Sequence, residues 1–314
     1  MELRTRVEIN PVSYKIGMRD KILFLGSCFA DEIGNKMREL RFQALVNPFG
    51  VLFNPASIVA VLEKLIDNNE FSEDIIVKNK DVYFSRMHSG IFASLDQNDL
   101  LRSINESLSA TRDFFVKSDY IIVSLGTSWV YRYIKGNFIV ANCHKEPSAE
   151  FVREFLYPDE IFKIFSKVIS LNSNKKWIFT VSPVRHFKDG AHGNMLSKSS
   201  LHLSIERLMQ SFPNVSYFPA YEILNDELRD YRFYATDMLH PSDVAVDYIW
   251  QRFSDNYTRA DEKGLISKIG RLNGMIGHRA LFPESSEYKS FAAQRDRLEK
   301  EIKAEIEFLQ KKIM

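Results

Sequence analysis

Cysteine is scarce in this 314-residue chain, which has two, Cys28 and Cys143. Two thiols cannot build the cross-linked framework of a small secreted domain, so each is either a core filler or a reactive group. Net charge is missing as well. Forty-two basic against 41 acidic side chains leave +1, so no whole-molecule field draws in nucleic acid or an anionic membrane surface, and neither is expected as a partner. No stretch approaches the roughly 18 uninterrupted apolar residues of a membrane span. The opening MELRTRVEINPVSY has no apolar leader core, and a cytoplasmic location is the expectation. Phosphate cradles are absent too, because LGSCFADEIG holds neither a Gly-x-Gly-x-x-Gly nor a Gly-Lys-Ser signature. No cofactor is expected.

What is present is an alternation. Apolar runs rich in β-branched and aromatic residues recur at 21–25, 42–46, 119–125, 176–181 and 214–218, each followed by turn residues and a helical pattern. Parallel strands buried on both faces read this way, which predicts an α/β sheet with crossover helices at about 29–40, 55–67, 98–116, 158–172 and 196–211. Asn54-Pro55 suits the start of the second of these. Residues 81–95 and 129–142 read as β-hairpins inserted above the sheet, the second turning at Lys135-Gly136-Asn137. After residue 240 the pattern is mostly helical. The expected division is an α/β domain over 1–255 and a helical C-terminal extension over 256–314. In its last helix Phe291, Leu298, Ile302, Ile306, Leu309 and Ile313 form an apolar stripe, a candidate surface for homodimerisation.

Two constellations carry chemistry. KILFLGSCFADEIG (21–34) is a strand, a glycine, two nucleophile-capable residues and a helix. Ligand sites of an open parallel sheet lie at the carboxyl ends of its strands, where the next helix offers unpaired N–H groups and a positive dipole end. Cys28 belongs there, and a helix N-terminus lowers a thiol's pKa toward the thiolate. Ser27 is either a second candidate nucleophile or a helix cap. The other constellation is YATDMLHPSD (234–243), with Asp237 three residues before His240 and the final α/β helix expected at 242–253. A carboxylate beside an imidazole orients the ring and stabilises the imidazolium formed when it takes a proton.

A nucleophile after the first strand and a DxxHP pair before the last helix resembles the order of the SGNH or GDSL-type hydrolases. LFLGSCF aligns in register with their Gly-Asp-Ser-Leu block, Cys28 falling on the serine. The chain resembles the GSCFA family more closely still, in Gly26-Ser27-Cys28-Phe29-Ala30, NPFGVLFNPASI (47–58), ANCHKEP (141–147), TVSPVRH (180–186) and DMLHPSDVAVDYIWQRF (237–253). The resemblance implies a three-layer α/β/α sandwich with five parallel strands in flavodoxin-like order. It also implies an ester or thioester hydrolase or acyltransferase working through a covalent intermediate on Cys28, with His240 moving the proton and Asp237 orienting it. Oxyanion donors map onto the backbone of Cys28, Gly50 and Gly126, and Ser128 stands where the SGNH pattern has asparagine. Asn142 or Asn54 is the alternative source of that amide.

The remaining candidates are binding residues for a small-molecule or glycan acyl substrate. His144 beside Lys145 is one, Arg185 suits a carboxylate or phosphate, and His186 adjoins it at a strand end. Trp129 with Tyr131 and Tyr133 offers an aromatic wall for a sugar or acyl chain. Cys143 next to His144 has residue types that suit zinc, but the spacing matches no zinc pattern and no metal is assigned. A binding protein without covalent chemistry, using Cys28, His144 and His240 for recognition or metal, is the alternative from another class.

Overall fold

The structure is a computed structural model and describes residues 4–311. The first half of the sheet is β1 (Lys21–Gly26), α1 (Cys28–Glu39), β2 (Gln43–Val46) and α2 (Pro55–Asp67). The first insertion follows as β3 (Ile76–Asn79) and β4 (Val82–Ser85), and α3 (Gln97–Val116) leads back to β5 (Tyr120–Leu125). The second insertion is β6 (Trp129–Tyr133), β7 (Phe138–Val140) and β8 (Phe151–Phe155). Then come α4 (Pro158–Leu171), β9 (Lys176–Val181), α5 (Gly190–Ser211), β10 (Val215–Tyr217) and a short α6 (Ala220–Glu222) running into a π-helical turn, Ile223–Glu227. Helices α7 (Asp243–Tyr257), α8 (Lys263–Gly277) and α9 (Ser286–Lys311) complete the described chain.

The central sheet has the order β10-β9-β5-β1-β2 and is parallel throughout. Counted along the chain this is the flavodoxin-like order 2-1-3-4-5, whose direction reverses between β1 and β5. Strand periodicity divides the core in two. Leu23, Leu25, Ile121, Val123 and Phe179 pack with Ile58 of α2, Ile104 of α3, Phe165 of α4 and Leu201 of α5. Ile22, Phe24, Ile122 and Ile178 pack with Ile33 of α1, Ile249 of α7, Ile269 of α8 and Ile302 of α9. The expected three-layer α/β sandwich is therefore what the chain forms.

Several details differ from expectation. The first hairpin spans β3 and β4 rather than 81–95; Lys80 turns it with φ 55°, and Ser94 returns only to bridge Tyr83. The second hairpin turns as expected but gains a third strand, β8, because Trp129 through Tyr133 pair with Phe155 through Phe151. Arg86 locks the two insertions together: its guanidinium forms a buried two-point pair with Glu146 at 2.9 and 2.6 Å, and its carbonyl accepts from Ala141 N–H at 2.7 Å. Helix α5 starts six residues earlier than expected, at Gly190.

Residue 255, the expected domain boundary, falls inside α7. Within the α9 stripe, Ile302 is fully buried in the core cluster that α1, α7 and α8 share, with Leu298, Ile306 and Leu309 packed on that same cluster. Phe291 meets the His278 ring at 5.2 Å in a tilted arrangement, and Ile313 lies outside the described residues. Much of the stripe is thus covered within one chain. No helix among the described residues is long and apolar enough to cross a membrane.

Candidate active site

The site begins where β1 becomes α1. Gly26 sits at φ +146°, and a Cβ there would overlap the Ser124 carbonyl oxygen of β5, so only glycine lets the two strand ends close at the topological switch. Its N–H donates to Asn47 Oδ1 at 2.8 Å, and Asn47 Nδ2 donates to Asp31 Oδ1 at 2.7 Å. Strand, loop and first helical turn are pinned together by that one amide.

Ser27 holds the N-cap position but does not cap with its side chain. It is 3% exposed and its hydroxyl shares a 2.9 Å hydrogen bond with Ser124 Oγ, while its N–H donates to Ser124 O at 3.0 Å. Both of its groups are tied to β5. Cys28 is the first residue of α1 and half-buried. Its thiol is not the depressed one expected of a helix N-terminus. Burial pushes it up, Asp31 and Glu32 add to the rise, and the N–H groups of Phe29 and Cys28 oppose it without winning.

The histidine arm is a tight loop. Met238 takes φ 59°, Ala235 N–H donates to His240 O at 2.8 Å, and Tyr234 bridges Pro241. Asp237 Oδ1 accepts from the N–H groups of His240 (3.0 Å) and Leu239 (2.9 Å), and Oδ2 meets His240 Nδ1 at 2.6 Å. Those backbone donors, His240's first, and then the ring hold the carboxyl down at about 2. With Nδ1 engaged, Nε2 is the nitrogen available to a reacting group. Glu32 links the two arms, since it interacts electrostatically with both Cys28 and His240.

Two further residues interact electrostatically with these arms, His186 with His240 and Lys198 with Cys28. His186 is half-buried; burial, Lys198 and His240 lower its pKa to about 4, so its ring is neutral at pH 7. Lys198, 1% exposed, joins the carboxyl ends of β5 and β9 by donating to Gly126 O at 2.7 Å and Ser182 O at 2.8 Å. Burial brings its pKa to about 7, and the charge that Cys28 carries when ionised opposes that shift. Sequence reasoning passed over Lys198, although the signal was there: it falls on the stripe of Leu201, Ile205 and Leu208, a lysine on a buried helix face.

The oxyanion donors require correction. Gly50 N–H donates to Asn47 O at 2.8 Å and Gly126 N–H to Phe53 O at 2.7 Å, so both are occupied. Ser128 is fully buried; its hydroxyl donates to Ser197 O at 2.8 Å and its N–H to Ser197 Oγ at 2.7 Å, which removes it as the stand-in for asparagine. The N–H groups facing the Cys28 sulfur are those of Cys28 and Phe29; that of Ala30 already pairs with Ser27 O.

The binding candidates separate into two groups. Asn54, Asn142 and His186 line a cleft of about 290 Å³, together with Phe53, Trp129, Tyr131 and Cys143. Asn54 doubles as the cap of α2, accepting from Ser57 N–H at 2.9 Å. His144 is not among the lining residues: it is buried, stacked on Phe84 and bonded through Nε2 to Ser85 O at 2.7 Å, so it holds the insertion together. Arg185 donates to Asn225 Oδ1 at 2.8 Å and lies over the Tyr234 ring at 5.6 Å, bracing the loop that carries His240. Among the described residues no three His, Cys, Asp or Glu side chains converge to hold a metal ion.

This geometry coincides with a family pattern. The GSCFA family model matches residues 21–253, which contain the whole central sheet and both arms of the site. The chain belongs to the GSCFA family. No curated protein matches it. The GSCFA motif itself, Gly26 through Ala30, is the strand-to-helix turn, and each of its first three residues has a distinct physical duty. Glycine permits the close approach to β5, serine bonds across to it, and cysteine opens the helix.

Proposed function

We propose that this GSCFA-family chain transfers acyl groups from an ester or thioester through a covalent intermediate on Cys28, in the manner of the SGNH-type hydrolases. The observation that carries the reading is the Asp237–His240 pair, an imidazole held through Nδ1 by a carboxylate that stays ionised across the working pH range. Cys28 Sγ attacks the acyl carbon while its proton passes to His240 Nε2. The donor's C–O or C–S bond breaks and the leaving alcohol or thiol takes that proton. Water or an acceptor hydroxyl then attacks the thioester, again deprotonated by His240, and the C–S bond breaks to restore the thiol. Because burial keeps the resting thiol protonated, His240 acts as a full general base rather than as partner to a preformed thiolate. The oxyanion is stabilised by the N–H groups of Cys28 and Phe29 and by the positive end of α1.

The test is incubation with p-nitrophenyl acetate and acetyl thioesters, reading turnover and an acetyl adduct on the Cys28 peptide. Full turnover in Cys28→Ala would defeat the assignment. A non-catalytic binding cleft is the competing reading, favoured by the occupied N–H groups of Gly50 and Gly126; it predicts no adduct with any donor.

A further inference from the structure

The polar side of the 290 Å³ cleft is built around Tyr131. Strand pairing sets Arg153 of β8 opposite Tyr131 of β6, and Lys188, in the turn that leads into α5, donates to the Tyr131 hydroxyl at 3.0 Å. Both cations lie over the same ring, Lys188 Nζ at 5.2 Å and Arg153 Cζ at 5.9 Å from its centre. Two positive charges share one carboxylate there. Asp189 is the single acidic side chain among the lining residues, and it is almost wholly buried in an ion pair with Arg153. Lys188 is exposed, bonds to the neutral Tyr131 hydroxyl and makes no ion pair among the described residues. With His186 neutral at pH 7, the cleft keeps one uncompensated positive charge.

The hydrogen bonds already made fix what these groups still offer. Because the Tyr131 oxygen accepts from the ammonium, its own proton is available to donate. Asn142 Oδ1 accepts the His144 N–H at 2.9 Å, which leaves the amide NH₂ as the end open to a ligand. Lys188 retains two further N–H groups. Ammonium, phenol and amide are all donors, so the group that answers them is an acceptor. A carboxylate or phosphate accepts several bonds at once and supplies the missing negative charge. A neutral hydroxyl compound accepts too, but leaves that charge uncompensated. Phe53 and Trp129 give the remaining walls an aromatic character. The volume is at the small end of ligand pockets, which run to roughly 300–1,000 Å³, and admits about one ring. We propose that this cleft binds a small organic anion, a carboxylate or phosphate on a compact apolar body, with Lys188 and the Tyr131 hydroxyl on its oxygens. The site stands on the cleft alone and holds whether or not Cys28 takes up an acyl group.

Cys143 is half-buried in the cleft wall and gives a reporter that does not depend on catalysis. Burial and Glu146 push its thiol up while Lys188 opposes them, so an anion on Lys188 slows alkylation by charge as well as by cover. The intact chain is treated with iodoacetamide, a neutral reagent, at mildly alkaline pH and constant ionic strength set with chloride. Benzoate and phenyl phosphate are the probes, with benzyl alcohol and glucose as neutral controls, and labelling is followed by peptide mass spectrometry. The expected result is that at least one anion slows Cys143 labelling roughly fivefold or more at saturation, while neither neutral compound does so at the same concentration. In Lys188→Gln the half-protecting concentration rises about tenfold or more, the size of one lost charge-assisted hydrogen bond, and in Tyr131→Phe about fivefold. Either anion sustains the site, and the tighter one names the ligand's charged group. Protection by neither anion overturns the inference. Equal protection by benzyl alcohol or glucose overturns it as well, and so does an unchanged half-protecting concentration in Lys188→Gln, whose exposed side chain leaves the fold intact.

Discussion

Lys198 Nζ lies 2.7 Å from the carbonyl oxygen of Gly126, at the end of β5, in a setting where the ammonium is almost wholly buried. Its other bond is to Ser182 O, and neither partner carries a negative charge. An ammonium buried on neutral carbonyls titrates early, near 7 rather than at the ordinary lysine value of 10.5. Below about pH 7 folded and unfolded chains both carry the proton, and the burial penalty is present in full. Between there and 10.5 the folded chain has released a proton that the unfolded chain keeps, so stability contributed by this residue rises with pH. Urea unfolding of wild type and Lys198→Met across that range should show the difference moving in favour of the wild type, by at most about 1.4 kcal/mol per pH unit. A difference that is flat with pH would mean the ammonium is not carried as the geometry indicates.

The Cys28 thiol is governed by burial first and by its own helix second. Alkylation of Cys28 in the free protein should therefore rise with a midpoint above that of an ordinary cysteine. Asp31 and Glu32 both push in that direction, so Asp31→Asn should lower the midpoint and speed labelling at neutral pH severalfold, with Glu32→Gln acting in the same sense. Peptide mass spectrometry of timed iodoacetamide reactions reads the rates. A fast wild-type reaction at pH 6 would show a thiolate that the helix terminus and His240 have already formed.

What was legible in the sequence was what depends on near neighbours. The run into Gly26, the Asn54-Pro55 helix start and the Asp237–His240 pairing all join residues a few positions apart, and the structure has each of them where the local pattern implies. What was not legible was decided across the fold. The N–H of Gly126 meets Phe53 O and the Ser128 hydroxyl meets Ser197 O, partners about 70 residues away on other elements. A glycine in the right motif position says nothing about whether its N–H is already paired. β8 was missed for a similar reason: FVREF carries adjacent charged residues, Arg153 and Glu154, and acquires its strand character only by pairing with β6.

Asp237 accepts two backbone N–H bonds through Oδ1 and the ring through Oδ2, so the two oxygens have separable duties. Asp237→Asn keeps an acceptor for the loop but offers an amide to the ring, which favours the wrong tautomer at Nε2. Acyl turnover should fall by about 10²–10⁴-fold while the thermal midpoint moves little. With its pKa near 2, Asp237 stays ionised as pH falls from 7 to 4, so a loss of activity there belongs to another group. Equal losses of turnover and of folding stability would show that the carboxylate serves the loop alone.

Gly26 has no room for a side chain, because a Cβ would overlap Ser124 O and φ +146° is strained for any other residue. Gly26→Ala should destabilise by on the order of 2–4 kcal/mol and displace the first turn of α1, lowering turnover beyond what the stability loss explains. Urea midpoints and Cys28 labelling on the folded fraction check both parts. Near-wild-type stability would mean that β1 and β5 separate more easily than their contact here implies.

Burial favours the neutral form of four histidines, His88 and His144 in the interior and His186 and His202 half-buried. Burial lowers His88 to about 3, and His186 and His202 to about 4, from an ordinary 6.5. His88 is enclosed by Phe71, Phe92 and Phe49, with Nδ1 on Ser85 Oγ at 2.7 Å. As pH drops below 6.5 the unfolded chain takes up protons that these rings refuse, so the folded state loses stability progressively toward pH 4 and below. Each ring contributes at most about 1.4 kcal/mol per pH unit over that window. His88→Gln keeps a neutral polar group in the aromatic surround and removes its titration. Its stability should therefore fall less steeply than wild type between pH 6.5 and 4, while the two slopes agree above 7. Parallel curves over the whole range would mean that His88 is protonated in the folded chain and that its aromatic neighbours hold the charged ring.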